Sequence, residues 1–172
     1  MRIISGTLKG KSIGFLKNTN TRPLKDSVRE NIFNILVHSN FTNVNIENSN
    51  ILDLYSGIGS FGIECLSRGA RKITFIEQDV NASNILKKNL INLSVIDKSI
   101  IYLDRIENIL SKNILEKYNI FFLDPPFADY EFINNLEIIK KKKFFNKNHI
   151  IIIHRESKSE DRLEGYIKTI QT

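Results

Sequence analysis

The stretch Ile51-Leu52-Asp53-Leu54-Tyr55-Ser56-Gly57-Ile58-Gly59-Ser60-Phe61-Gly62 carries the reading of the fold. A short apolar run ends in an acid, turns through glycines spaced G-x-G-x-x-G, and opens into a segment with helical periodicity. This is a strand, loop and helix arranged to hold a nucleotide-like ligand. Glycine lets the backbone approach the ligand, and the first helical turn offers N–H groups that no internal carbonyl satisfies. Glu77 closes the next apolar run, at the place where a carboxylate accepts hydrogen bonds from ribose hydroxyls.

Taken alone, this loop suits NAD as well as S-adenosylmethionine. Asp53 sits at the end of the strand and faces the ligand, where it attracts an amino acid ammonium and repels a pyrophosphate. Tyr55-Ser56 interrupts the direct run from strand into first glycine that dinucleotide folds show. Both features favour S-adenosylmethionine, with S-adenosylhomocysteine as product. The expected contacts are Asp53, Tyr55, Gly57, Gly59, Glu77 and its neighbour Gln78.

Outward from the loop, short apolar runs alternate with amphipathic segments. Strands are expected at residues 51–54, 72–77, 99–103, 120–124 and 149–154, and helices at 61–67, 80–93, 106–114 and 130–140. That alternation predicts an α/β fold with a doubly wound, mostly parallel sheet. Upstream, residues 2–4 and 11–15 are strand-like around Gly6 and Gly10, which predicts a small hairpin. Ser27 and Glu30 have the spacing of a capping box before a helix over 27–38. Residues 40–50 lack periodicity and mark a boundary between an N-terminal extension, 1–45, and the main domain, 46–172. One more strand is expected at 166–170.

A second motif, Asp124-Pro125-Pro126-Phe127, ends the fourth strand. Open α/β sheets bind ligands at the carboxyl ends of their strands, so this corner should adjoin the glycine loop. Adjacent prolines cannot continue a ladder, and they hold the backbone rigid with carbonyls free of local partners. Asp124 and the Pro125 carbonyl can each accept an N–H from an aromatic amino group, and Phe127 can stack on the ring that bears it. An amine conjugated to a base is a poor nucleophile. Holding its hydrogens frees the lone pair, and the carboxylate stabilises the charge that develops on nitrogen. The catalytic set is therefore Asp124, Pro125, Pro126 and Phe127.

Composition bounds the remaining possibilities. With 172 residues, 41% of them hydrophobic, the chain builds a core without metal or disulfides, and its one cysteine, Cys65, reads as a small buried apolar side chain. No run approaches the roughly 18 apolar residues of a membrane span and no signal peptide is evident, so a soluble cytoplasmic protein is expected. The net charge of +6 concentrates at the start, where residues 1–30 hold seven basic and two acidic side chains. A basic segment beside a neutral body is the footprint of polyanion binding. His38, His149 and His154 lack metal-ligand spacing, and residues 140–143 place lysines where a helix C-terminus favours cations. Neither a metal nor a catalytic histidine is expected.

The motifs together resemble the RsmD family of bacterial 16S ribosomal RNA guanine-N2 methyltransferases. The resemblance runs through Arg2-Ile3-Ile4-Ser5-Gly6, Arg22-Pro23, Asp26-Ser27-Val28-Arg29-Glu30, the glycine loop, Leu66-Ser67-Arg68-Gly69-Ala70 and the proline corner. It implies a Rossmann-like class I methyltransferase domain with an N-terminal extension that grips RNA. By that resemblance Gly57 and Gly59 pass under the methionine moiety, Glu77 binds the ribose, and Asp104 approaches the adenine, its alternative role being to cap the following helix. Arg22, Lys25 and Arg29 would face 16S rRNA or the assembling small subunit, with a plain helix-surface role as the alternative for Lys25 and Arg29. A monomer is expected. Leu24 stands where the family usually has threonine, and the chain stops at Thr172, before the antiparallel strand with which such domains end. Two other readings stay open: a DNA adenine-N6 methyltransferase using the same corner, and a non-catalytic nucleic-acid-binding or dinucleotide-binding domain.

Overall fold

The computed structural model describes residues 1–15, 24–38, 43–126 and 128–155. The expected strand at 166–170, the end of the chain, Arg22 and Phe127 lie outside the described residues. In chain order the elements are α1 (Asp26–His38), β1 (Asn50–Leu54), α2 (Ser60–Ser67), β2 (Lys72–Glu77), α3 (Val80–Asn92), β3 (Ser99–Leu103), α4 (Ile106–Ser111), β4 (Tyr118–Leu123), α5 (Phe132–Lys142) and β5 (Phe145–Ile153). The five strands form one parallel sheet in the order β3-β2-β1-β4-β5. The expected doubly wound α/β fold is therefore present.

Side chains along each strand alternate between two cores, as the pleat requires. Ile51, Ile73, Phe75, Ile120 and Phe122 pack on the face covered by α1, α2 and α3. Leu52, Leu54, Ile76, Phe121 and Leu123 pack on the face covered by α4 and α5. Being buried on both faces, the inner strands need the continuous apolar runs that made them readable.

The N-terminal segment shares the first of these cores through Ile3, Leu8, Ile13, Leu24, Phe33 and Leu36. The expected hairpin contracts to a single antiparallel bridge, Arg2 with Ser12. Ile3 N–H still reaches Lys11 O and Ile13 N–H reaches Met1 O, both at 3.0 Å, but other donors leave the pair: Ile4 and Ser5 N–H reach the buried Glu64 carboxylate at 2.8 and 2.9 Å, and Leu8 N–H reaches Ser67 Oγ at 2.9 Å. Helix α1 starts at Asp26, one residue before the expected capping box, so Ser27 lies inside the helix. The rings of Phe33, Phe61 and Phe122 stack, with centroids 5.2 and 3.9 Å apart, and tie α1 through α2 to β4.

Strand order reverses between β1 and β4, since β2 and β3 lie to one side and β5 to the other. A crevice opens at such a switch point, outside the carboxyl ends of the strands. The glycine loop after β1 and the proline corner after β4 border it.

Candidate active site

The crevice is a cleft of about 860 Å³. From the expected sets it gathers Asp53, Tyr55, Gly57, Glu77, Gln78, Asp104, Asp124, Pro125, Pro126 and Lys25 in its lining. Gly59 is not in that lining. It takes a left-handed φ of 84° before α2, and an added Cβ would come within 2.3 Å of Leu86 Cδ1, so close packing against α3 favours glycine there. Gly57, with φ 53°, has nothing within 4 Å of where its Cβ would stand. The loop leaves that side open to the cleft.

Asp53 is buried at the floor. Its Oδ2 accepts Gly62 N–H at 3.1 Å, and Oδ1 has no partner among the described residues. Loss of solvation holds its carboxyl well above the usual carboxylate range, partly offset by the Gly62 bond and reinforced by the charges of Asp124 and Glu77. A buried carboxylate oxygen without a donor is costly and awaits one. Glu77 closes β2 and fastens the loop: Oε2 accepts Gly57 N–H at 2.6 Å and Oε1 accepts Asp79 N–H at 2.8 Å. Asp79 in turn caps α3 by accepting Ala82 N–H at 2.8 Å.

Tyr55, at φ 61°, lies beneath the corner, where its hydroxyl accepts from Asn135 Nδ2 at 3.3 Å. Burial, and then the charge of Asp129, push its phenol above the ordinary range. Asp104 borders the cleft, but its oxygens serve α4. Oδ1 accepts from Arg105 N–H at 2.8 Å and Asn108 Nδ2 at 2.7 Å, and Oδ2 meets Lys112 Nζ at 3.2 Å. The Asn108 and Arg105 bonds and Lys112 hold its carboxyl below the usual range. Helix α4 has Arg105 as its N-cap without a side-chain cap bond, so Asp104 does not cap it in the way the alternative expected but ties down its side chains.

Asp124 and His154 form a pair that the sequence reading missed. Asp124 Oδ1 lies 2.8 Å from His154 Nδ1, and each side chain is about a quarter exposed in the cleft, at 25% and 28%. Sequence contained the signal: Phe122-Leu123-Asp124 and Ile152-Ile153-His154 each end an apolar run in a polar residue, and parallel neighbours in register bring such residues side by side. His154 does sit at a strand end, as expected, yet beside the residue assigned to the chemistry. Asp129 and Glu131 also line the cleft. The Pro126 carbonyl accepts from Asp129 N–H at 2.8 Å and Arg155 Nη1 at 3.0 Å, while among the described residues none donates to the Pro125 carbonyl.

The basic trio is divided. Lys25 is exposed at the mouth of the cleft. Arg29, expected to face RNA, is instead fully buried under the N-terminal segment, where Nη2 donates to Arg2 O at 2.5 Å and Asp26 Oδ1 at 2.9 Å and Nη1 meets Met1 Sδ at 2.8 Å. Its place on the inner face of α1 decides this: Arg29, Phe33 and Leu36 are the buried residues of that helix.

A family model described as "Conserved hypothetical protein 95" matches residues 1–171. "Ribosomal RNA small subunit methyltransferase D" of Buchnera aphidicola (subspecies Acyrthosiphon pisum) is 35% identical over 156 residues, which cover 91% of this chain and 78% of that protein. The protein of the same name from Haemophilus influenzae is 31% identical over 158 residues, 91% of this chain and 79% of that one. The chain belongs to this family, the RsmD methyltransferases. Among solved structures, the yhhF protein of Escherichia coli, described as a methyltransferase, superimposes with a TM-score of 0.79 at 28% identity and covers 92% of this chain and 82% of that one. The RsmD fold and its strand-end cleft are thus those of a class I methyltransferase. No described helix is long and apolar enough to cross a membrane.

Proposed function

We propose that this chain transfers a methyl group from S-adenosylmethionine to the exocyclic N2 of a guanine in 16S rRNA, acting in the cytoplasm as a monomer on the assembling small subunit. The observation that carries this reading is the meeting of two motifs in one cleft, lined by Asp53 and Gly57 from the first and by Asp124 and Pro125 from the second. The relatives named as small-subunit rRNA methyltransferases support the choice of nucleic acid.

The residues present fit the cofactor. The unpartnered Asp53 Oδ1 suits an ammonium, Gly57 leaves room for close backbone approach, and the Glu77 oxygens keep lone pairs for ribose hydroxyls. When bound, S-adenosylmethionine supplies an electrophilic methyl group. The base rotates out of its stack, and Asp124 with the Pro125 carbonyl accepts the two amine hydrogens, which aligns the nitrogen lone pair. As the C–N bond formed the methyl–sulfur bond would break, leaving S-adenosylhomocysteine, and Asp124 would stabilise the positive charge on nitrogen and take the departing proton. Phe127 is assigned the stacking role. Lys25 and Arg22 hold RNA phosphates.

Incubation with labelled S-adenosylmethionine tests this. The expected product is N2-methylguanine in small-subunit RNA or particles, and label found solely in the adenine of duplex DNA would overturn the RNA assignment. Absence of S-adenosylhomocysteine binding by calorimetry would remove the methyl-transfer reading and favour a non-catalytic binding domain.

A further inference from the structure

We propose that His154 is a positioning residue for methyl transfer: its imidazole holds one oxygen of Asp124 and leaves the other aimed at the substrate amine. This deepens the function above and rests on it. A carboxylate only accepts, so the 2.8 Å contact places a proton on Nδ1. The backbone that carries the imidazole is itself fixed. His154 N–H donates to Leu123 O at 2.9 Å, which carries the β4–β5 pairing one step past the strand and sets the two side chains at the same level.

The next residue braces the other side of the corner. Arg155 Nη1 donates to the Pro126 carbonyl at 3.0 Å, and its guanidinium carbon lies 4.9 Å from the Phe132 ring centre and 5.6 Å from that of Tyr130. Two consecutive residues beyond β5 therefore grip the carboxylate and the proline backbone from one direction. The grip has a purpose at this site. Asp124 projects into the cleft at 25% exposure, where an unheld carboxylate turns about its terminal torsion, and a reacting amine needs its acceptor in one orientation. A pair this exposed adds little to stability, so its contribution lies in geometry.

The test compares His154→Ala, which removes the donor, with His154→Asn, whose amide nitrogen stands near the place of Nδ1. Steady-state transfer to small-subunit RNA, S-adenosylhomocysteine calorimetry and thermal unfolding are measured on the full chain. For His154→Ala, kcat should fall about 10- to 100-fold, with KM for cofactor, product affinity and melting temperature close to wild type. His154→Asn should recover most of the loss. In an Asp124→Asn background, adding His154→Ala should change nothing further. Wild-type kcat in His154→Ala overturns the proposal, as does a loss confined to cofactor affinity or a failure of His154→Asn to recover. An active wild-type chain with a fully active His154→Ala variant sinks this inference alone. A wild-type chain that methylates no nucleobase amine sinks the proposed function and this inference together.

Discussion

Two carboxylates end the two strands that flank the switch point, and the sheet treats them oppositely. Asp53, on β1, is 1% exposed, keeps one oxygen without a partner among the described residues and has its carboxyl pushed up by burial. Asp124, just beyond β4, is a quarter exposed and braced by His154. The difference follows from position along parallel strands in register. Asp53 lies level with Phe122, two residues short of Asp124, so one acid ends beneath the cleft and the other at its lip. The same side chain thus serves two tasks: a buried acid that a cationic ligand can ionise, and an oriented acceptor for a neutral amine.

The contrast is broken most strongly at the lip. Asp124→Ala should reduce single-turnover methyl transfer by about 100- to 1000-fold, with S-adenosylhomocysteine affinity changed only a few-fold. The matching change on the floor should do the reverse. Asp53→Asn removes a charge-assisted contact worth about 1.5–3 kcal/mol, so calorimetry should record a loss of about 10- to 100-fold in affinity, while the melting temperature stays level or rises because folding no longer withdraws an ionisable carboxyl from water.

Titration sharpens the same comparison. The folded pKa of Asp53 is raised, so its contribution to stability is full below the unfolded carboxylate range and is lost as pH rises through the raised value. Cofactor affinity should move the opposite way, increasing over that window as Asp53 ionises against the ammonium. Calorimetry in buffers of different ionisation enthalpy should detect proton release on binding. An affinity flat with pH would separate Asp53 from the ammonium.

Smaller effects divide the basic residues of the extension. Arg29→Ala should destabilise the fold by about 1–3 kcal/mol in denaturant unfolding, since it empties the buried place of the Arg29 side chain and strips the Arg2 carbonyl of its donor. Lys25→Ala should leave stability within about 0.5 kcal/mol and lower the salt dependence of RNA binding by about one phosphate contact.

How legible these features were depended on how local they are. Strands β2 and β3 occupy the expected residues because continuous apolar runs bounded by charged or polar side chains mark both ends. Strand β5 begins at Phe145, ahead of the expected 149, since Asn146-Lys147-Asn148 is too polar to read as strand; it falls in an irregularity of the β4 pairing, tied there by Asn119 through Asn146 and the Asn148 carbonyl. Helix α4 stops at Ser111, short of 114, where Lys112 turns extended. The N-terminal hairpin is present but shorter than expected, because Glu64 and Ser67, some sixty residues away, take donors that a longer ladder would use.

By itself the sequence determined the order of elements, the glycine loop and the rigid proline corner, because periodicity, glycine placement and proline geometry act over a few residues. The tertiary structure alone decided that Arg29 points inward, that Asp53 keeps an empty oxygen and that His154 meets Asp124. Each of these depends on which segments become neighbours. His154 and Asp124 are thirty residues apart in the chain and 2.8 Å apart in space, joined by the parallel register of two strands.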